Sequence, residues 1–221
     1  MSRNRTLRIL EFAFLIAGLA AIDYYIWSGV NAKLYQAYEN WKFDKARQEQ
    51  RQQQAEAPPS SQPSPPAPVK RRHETNELVG RLEIPRLRLA AIVREGVDQG
   101  TLEKAVGHIP STAWPGEPGN AALAGHRDTF FRALRNIKKN DRIVVSTLDG
   151  DYQYQVQSTK IVMPSDVGVL KPTGGGNELT LVTCYPFYYV GSAPKRFIVH
   201  ATQVASTPPR QQSASSISRP G

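Results

Sequence analysis

The sequence predicts a mainly β fold: a closed barrel of seven or eight short strands with one or two small helices, behind an apolar N-terminal segment and a proline-rich linker. Residues 77–204 break into short apolar runs separated by turn residues. The run Tyr152-Gln-Tyr-Gln-Val-Gln157 alternates apolar and polar residues, the period of a sheet with one buried face. The first 76 residues instead carry an apolar stretch over 9–27 and then Pro58, Pro59, Pro63, Pro65, Pro66 and Pro68.

Composition bounds what such a chain can be. Its 221 residues are 40% hydrophobic and 21% charged, enough apolar material for one buried core. Its single cysteine, Cys184, excludes an internal disulfide and a multi-cysteine zinc site. The net charge of +9 is spread along the chain with no basic block. There is no zinc-finger spacing, no Walker loop and no aromatic ribonucleoprotein motif, so no nucleic-acid partner is expected, and the charge reads as solubility and membrane proximity.

The chain divides into 1–30, 31–76, 77–204 and 205–221. In the first part Arg3, Arg5 and Arg8 precede the apolar stretch, whose uninterrupted core is 12–22, with Tyr24, Tyr25 and Trp27 at its far end. A cleavable signal peptide and a buried globular helix are alternatives. The favoured reading is a signal anchor with aromatic residues at the interface. The arginines then hold the N-terminus in the cytoplasm, and a single-pass protein of the cell membrane exposes everything that follows outside it. Over 31–50, Leu34, Ala37, Tyr38 and Trp41 follow helical spacing; this stripe packs on the membrane surface, packs on the domain, or belongs to a solvated stalk. Residues 48–76 read as a linker, polar and then extended by proline. Residues 206–221 are rich in Ser, Gln and Pro and read as a disordered tail.

Strands are predicted over 79–84, 87–93, 121–124, 142–148, 152–157, 178–183 and 196–202, with Asp149-Gly150 as a hairpin turn. Asp128 is predicted to cap a short helix over 128–135. Residues 171–177, with Gly174, Gly175 and Gly176, read as a mobile loop; no helix follows them, which argues against a phosphate cradle. The acidic residues of the domain are scattered, and Asp149 and Asp151 flank a turn glycine without further ligands. No metal and no cofactor are expected.

The chemistry gathers around Cys184, which ends the apolar run Thr180-Leu-Val-Thr-Cys184. A thiol ionises near neutral pH only beside a base or a cation. His126 follows the small apolar run Ala121-Ala-Leu-Ala-Gly, and Arg196 opens the next strand after Cys184. His126 as imidazolium would stabilise a thiolate and then protonate a departing amine, and Arg196 would hold a carbonyl or an oxyanion. A lone strand cysteine is otherwise an inert small hydrophobe. His108 is the competing base, His200 reads as a partly buried structural histidine, and His73 lies in the linker.

These residues resemble a known family. Thr180-Leu-Val-Thr-Cys184, the upstream Leu123-Ala-Gly-His126 and the downstream Lys195-Arg196 are similar to the signature of sortases, membrane-anchored cysteine transpeptidases of bacterial surfaces. The segments from His126 to Leu134 and from Cys184 to Arg196 resemble class D members most. The resemblance implies an eight-stranded sortase-type barrel with Cys184 as nucleophile, His126 as general acid and base, and Arg196 as substrate and oxyanion stabiliser. It also implies that Thr183 lines the substrate pocket and that backbone N–H groups at Cys184 and Tyr185 face the oxyanion. The substrate would be a Leu-Pro-x-Thr-Gly-like sorting signal cleaved after Thr, and the acceptor an amine on a peptidoglycan precursor or a pilin. A cysteine hydrolase of the same fold and a non-catalytic anchored adaptor are the alternatives. An L,D-transpeptidase is disfavoured because its Ser-His-Gly-Cys-like motif is absent.

Overall fold

The computed structural model describes residues 3–56, 74–174, 176–189 and 191–207, and the chain falls into two compact units, residues 1–38 and 39–221. Residues 57–73 and 208–221 lie outside the described residues, and with them most of the proline linker, His73 and most of the expected tail.

Helix α1 runs from Arg3 to Glu56. In the first unit its apolar residues Phe12, Phe14, Leu15, Ile16, Leu19 and Ile22 are all exposed. Among the described residues no helix is long and apolar enough to cross a membrane. The side chains of Tyr24, Tyr25 and Trp27 lie outside the described residues. The glutamine run after 48, read from sequence as linker, is helical as far as Glu56. Gln, Arg, Glu and Ala are good helix formers, and no proline intervenes before Pro58.

In the second unit the end of α1 packs on the barrel, but not through the expected stripe. Trp41 of that stripe is exposed, whereas Glu39, Phe43 and Arg47, four residues apart, are buried. The Phe43 ring lies between two guanidinium groups, Arg47 at 5.6 Å and Arg81 at 5.5 Å from its centroid. Glu39 pairs with Arg94, and Arg47 with Asp151 at 3.1 Å. A face built from one aromatic and several ion pairs has no hydrophobic period, which is why a search for apolar spacing misses it.

The barrel consists of β1 (Leu78–Ile84), β2 (Leu89–Glu95), β3 (Val106–His108), β4 (Gly119–Ala124), β5 (Arg142–Ser146), β6 (Asp151–Val162), β7 (Asn177–Tyr185) and β8 (Lys195–Thr207). It closes in the order β1-β2-β3-β4-β7-β8-β6-β5, with β1 pairing back onto β5. The hairpin at Asp149-Gly150 joins β5 to β6 as expected, and Tyr154 and Val156 of the alternating run point into the core. Helix α2 (Gln99–Lys104), capped by Asp98 through Thr101 N, was not anticipated. Asp128 caps no helix: the segment after it forms a 3-10 turn, Arg132–Asn136, without a side-chain cap. Thr173 of the glycine-bearing loop is tied down, its N and Oγ1 donating to the Glu178 carboxylate at 3.0 and 2.8 Å.

Two pairings position the site. Strands β4 and β7 run parallel, with Ala122 opposite Thr180 and Ala124 opposite Val182. Strands β7 and β8 run antiparallel, with Val182 opposite Ile198 and Cys184 opposite Arg196. Leu123, Leu181 and Val199 belong to the core, so by strand alternation Ala124, Val182, Cys184, Ile198 and Arg196 face outward. This outer face is partly covered, because Asn120 Nδ2 donates to Leu170 O of the β6–β7 connection at 3.0 Å.

Candidate active site

The parallel register of β4 and β7 brings the residue before His126 alongside the strand that ends in Cys184 and Tyr185. Pairing continues one residue beyond β4, where Gly125 N donates to Val182 O at 3.1 Å. His126 follows directly, on the turn that leaves β4, and Arg196 is the paired neighbour of Cys184 on the other side. Adjacent strands lie about 4.8 Å apart, so Cys184 and Arg196 are neighbours on the outer face, with His126 on the turn that follows the neighbouring strand β4. His126 is exposed, and Cys184 and Arg196 are half-buried, as solvent-borne chemistry requires. Among the described residues no hydrogen bond joins the three side chains to one another. The Arg196 guanidinium instead donates to Ala193 O at 3.2 Å and Lys195 O at 3.0 Å, on its own loop.

The turn bearing His126 is built by close packing. His126 O accepts from Phe131 N at 3.1 Å, and the buried Phe131 ring lies where a Cβ on Gly125 would sit, 2.9 Å from its nearest atom. Only glycine lets that ring support the histidine turn from beneath.

The other residues expected at the site fall differently. Thr183 is 2% exposed, and its Oγ1 donates to Gly125 O at 2.7 Å. Its hydroxyl braces the two strands from the inner side rather than opening to solvent. Tyr185 stacks on Phe197 at 6.3 Å and meets Phe187 edge-on at 6.0 Å, so it belongs to an aromatic cluster under the strand end. His108, the competing base, is 1% exposed. Its Nδ1 pairs with Glu95 and its Nε2 meets Ala113 O at 2.9 Å, which leaves no free nitrogen for a thiol. His200 is half-buried against Thr180 Oγ1, 3.1 Å from Nδ1. Burial first, and Lys160 second, hold its pKa below the ordinary imidazole value, with Glu178 opposing.

Sequence reasoning missed Arg127. It is 6% exposed, and it donates from Nε and Nη2 to Asp128 at 3.0 and 2.9 Å and from Nη1 to Pro186 O at 2.7 Å. Asp128 is held below the usual carboxylate range chiefly by the Arg127 hydrogen bonds, and then by the charges of Arg127, Arg132 and His126, against a cost of burial. An Arg-Asp pair directly after His126 was the available signal, but adjacent residues rarely share a face on a strand.

Comparison with known proteins agrees with this fold. A family model for the sortase domain matches residues 82–204. Sortase D of Bacillus subtilis (strain 168) is 40% identical over 131 residues, 59% of this chain and 66% of that protein. Sortase E1 of Streptomyces coelicolor is 34% identical over 145 residues, 58% of this chain and 40% of that protein. The chain thus spans between two-fifths and just under two-thirds of these relatives. Among solved structures, a Clostridium perfringens sortase D5 transpeptidase shares the fold with a TM-score of 0.59 at 24% identity, covering 78% of this chain and 98% of that one. The S. coelicolor sortase E1 crystal structure with a tripeptide in its active site superposes with a TM-score of 0.56 at 33% identity, over 60% of this chain and 91% of that one. An eight-stranded closed barrel with this family match over more than half its length has one reading: the chain belongs to the sortase family.

Proposed function

We propose that this protein is a class D-like cysteine transpeptidase acting on a Leu-Pro-x-Thr-Gly-like sorting signal. The observation that carries the proposal is the outward-facing pair of Cys184 on β7 and Arg196 on β8, with His126 exposed on the turn just past β4, the parallel neighbour of β7. The Cys184 thiolate attacks the carbonyl carbon of the signal's threonine, and the tetrahedral oxyanion is held by Arg196 and backbone N–H groups near Cys184 and Tyr185. The C–N bond then breaks, and the leaving amine takes the His126 proton. The resulting thioacyl group on Cys184 is resolved by an acceptor amine, from a peptidoglycan precursor or a pilin, whose proton returns to His126. Water in place of the amine gives hydrolysis by the same steps. In this reading Thr183 holds the strand end in place, and no metal or cofactor takes part.

The working location is the outer side of the cell membrane, with residues 9–27 as anchor. Support comes from the exposure of Phe12, Phe14, Leu15, Ile16, Leu19 and Ile22 on one helix, an apolar surface that water does not favour.

The test is intact-mass spectrometry of the full chain incubated with Leu-Pro-x-Thr-type peptides, with and without an added amine. A thioacyl adduct that is absent in Cys184→Ala, and that the amine converts to an amide, is the expected result. Cleavage that persists in Cys184→Ala overturns the mechanism.

A further inference from the structure

Strands β1, β4 and β7 run in the same sense around the barrel, so the segments that follow them lie at one end, the end that carries Cys184. There the 3-10 turn Pro85–Leu87 after β1 meets the 3-10 turn Arg132–Asn136 that follows β4. Between them opens a cleft of about 540 Å³. Leu87 and Ile137 contribute half-buried apolar lining, and Arg86, Arg88, Arg135 and Lys138 bring four cations to it.

Little in the protein neutralises these cations. Among the described residues the one carboxylate paired with any of them is Asp141, and it is fully engaged. Its two oxygens accept from Arg86 Nε and Nη2, and Oδ2 also accepts from Lys138 N at 2.7 Å. Arg86 Nη2 donates further to Asn136 O at 2.6 Å, so the guanidinium is held in place. Arg135 is held too: its Nη1 donates to Tyr188 OH at 3.1 Å, and its guanidinium lies 5.6 Å from the centroid of that ring. The Arg88 guanidinium and the Lys138 ammonium have no hydrogen-bond or ion-pair partner among the described residues. Like charges gathered about one cleft repel each other unless an anion stands among them.

The backbone adds a second observation. Arg88 sits at φ 51° and ψ 36°, a left-handed conformation that glycine or asparagine adopts at less cost. Its N–H donates to Pro85 O at 3.0 Å and closes the turn. The fold keeps an arginine where a smaller residue would be easier, and residues held this way gather at functional sites.

We propose that this cleft is a binding site for a multiply charged phosphate anion, a diphosphate or two neighbouring phosphodiesters. Guanidinium groups offer planar donor pairs that match phosphate oxygens, and two of the three here are already oriented, so binding has few side chains to order. A single carboxylate would engage one fork and leave the other cations unmatched; a diphosphate carries oxygens and charge for several. Leu87 and Ile137 suit the neutral part of the ester that bears it. The site does not depend on what Cys184 does.

The test is isothermal titration calorimetry of the full chain, in a detergent of neutral head group, with inorganic pyrophosphate, orthophosphate and citrate. One pyrophosphate is expected per chain, bound about tenfold or more tighter than orthophosphate or citrate, and more weakly as salt rises. Arg88→Asn combined with Lys138→Gln removes the two unpartnered charges, and asparagine accepts the left-handed backbone. The thermal midpoint of this double variant is expected to hold or rise while its pyrophosphate affinity falls by at least about tenfold. Absence of pyrophosphate binding overturns the proposal. So does equal binding by wild type and double variant, and so does orthophosphate or citrate binding as tightly as pyrophosphate. Binding is read without turnover, so its failure and a failure of the transpeptidase reading are separate results.

Discussion

Thr183 Oγ1 donates to Gly125 O across 2.7 Å, one residue before Cys184 on one strand and one before His126 on the other. The bond is buried, so its loss strands a carbonyl without water. Thr183→Val is expected to cost about 1–3 kcal/mol of stability and to lower kcat more than it raises KM. Thr183→Ser should restore most of both. Urea denaturation and steady-state kinetics on the three chains check this; unchanged kcat in Thr183→Val would show that the brace is not needed for chemistry.

The proposed mechanism pairs an ionised thiol with a protonated imidazole, and so makes activity depend on two protonation states of opposite sense. The pH profile of kcat/KM is therefore expected to be bell-shaped, with limbs that belong to the pair rather than to either residue. A profile that rises to a plateau and stays there would contradict the paired mechanism.

Arg196→Lys probes the oxyanion role. Lysine keeps the charge but not the planar pair of donors. We expect kcat to fall by about a hundredfold with little change in KM, the low end of the range for lost oxyanion donors. Near-normal turnover by Arg196→Lys would remove the guanidinium geometry from the mechanism.

His200 ties stability to acid. Above the ordinary imidazole value of 6.5 it is neutral in both folded and unfolded chains and adds no slope. As pH falls through that value the unfolded chain takes up a proton that burial denies the native one, so stability is lost until pH passes below the depressed folded value. His200→Gln should flatten the fall in urea midpoint between about pH 7 and 5. An unaltered slope would assign the acid sensitivity elsewhere.

Phe43 tests whether the end of α1 belongs to the catalytic body. Phe43→Ala is expected to cost about 3–5 kcal/mol. In a domain of this size each kcal/mol lowers Tm by roughly 2–4 °C. A thermal melt within a degree or two of wild type would mean that the helix is an ornament to the barrel.

What the residues disclosed and what they hid follow a physical division. Tyr154 and Val156 were legible because strand alternation leaves a periodic trace; Cys184, His126 and Arg196 stood out as candidates because few residue types can do the chemistry proposed for them. The docking of α1 left no such trace, since Phe43 is held by Arg47, Arg81 and neighbouring ion pairs that look like solvated surface in one dimension. Arg127 was hidden for a related reason: its burial comes from a turn that closes only when residues 127 and 186 meet. Asp128 looked like a helix cap because a cap and a guanidinium partner use the same carboxylate.

The parallel pairing of β4 with β7 makes the place of Cys184 relative to the end of β4 a matter of counting. Deleting one residue of β7 between 177 and 182 moves the thiol to the inward-facing position of Thr183 and brings Tyr185 outward in its place. Adding or removing residues between 163 and 173 leaves the count along the two strands untouched, because the ladder, and not the length of the chain between them, decides what stands opposite what. The barrel thus separates a segment free to drift in length from one where a single codon is decisive.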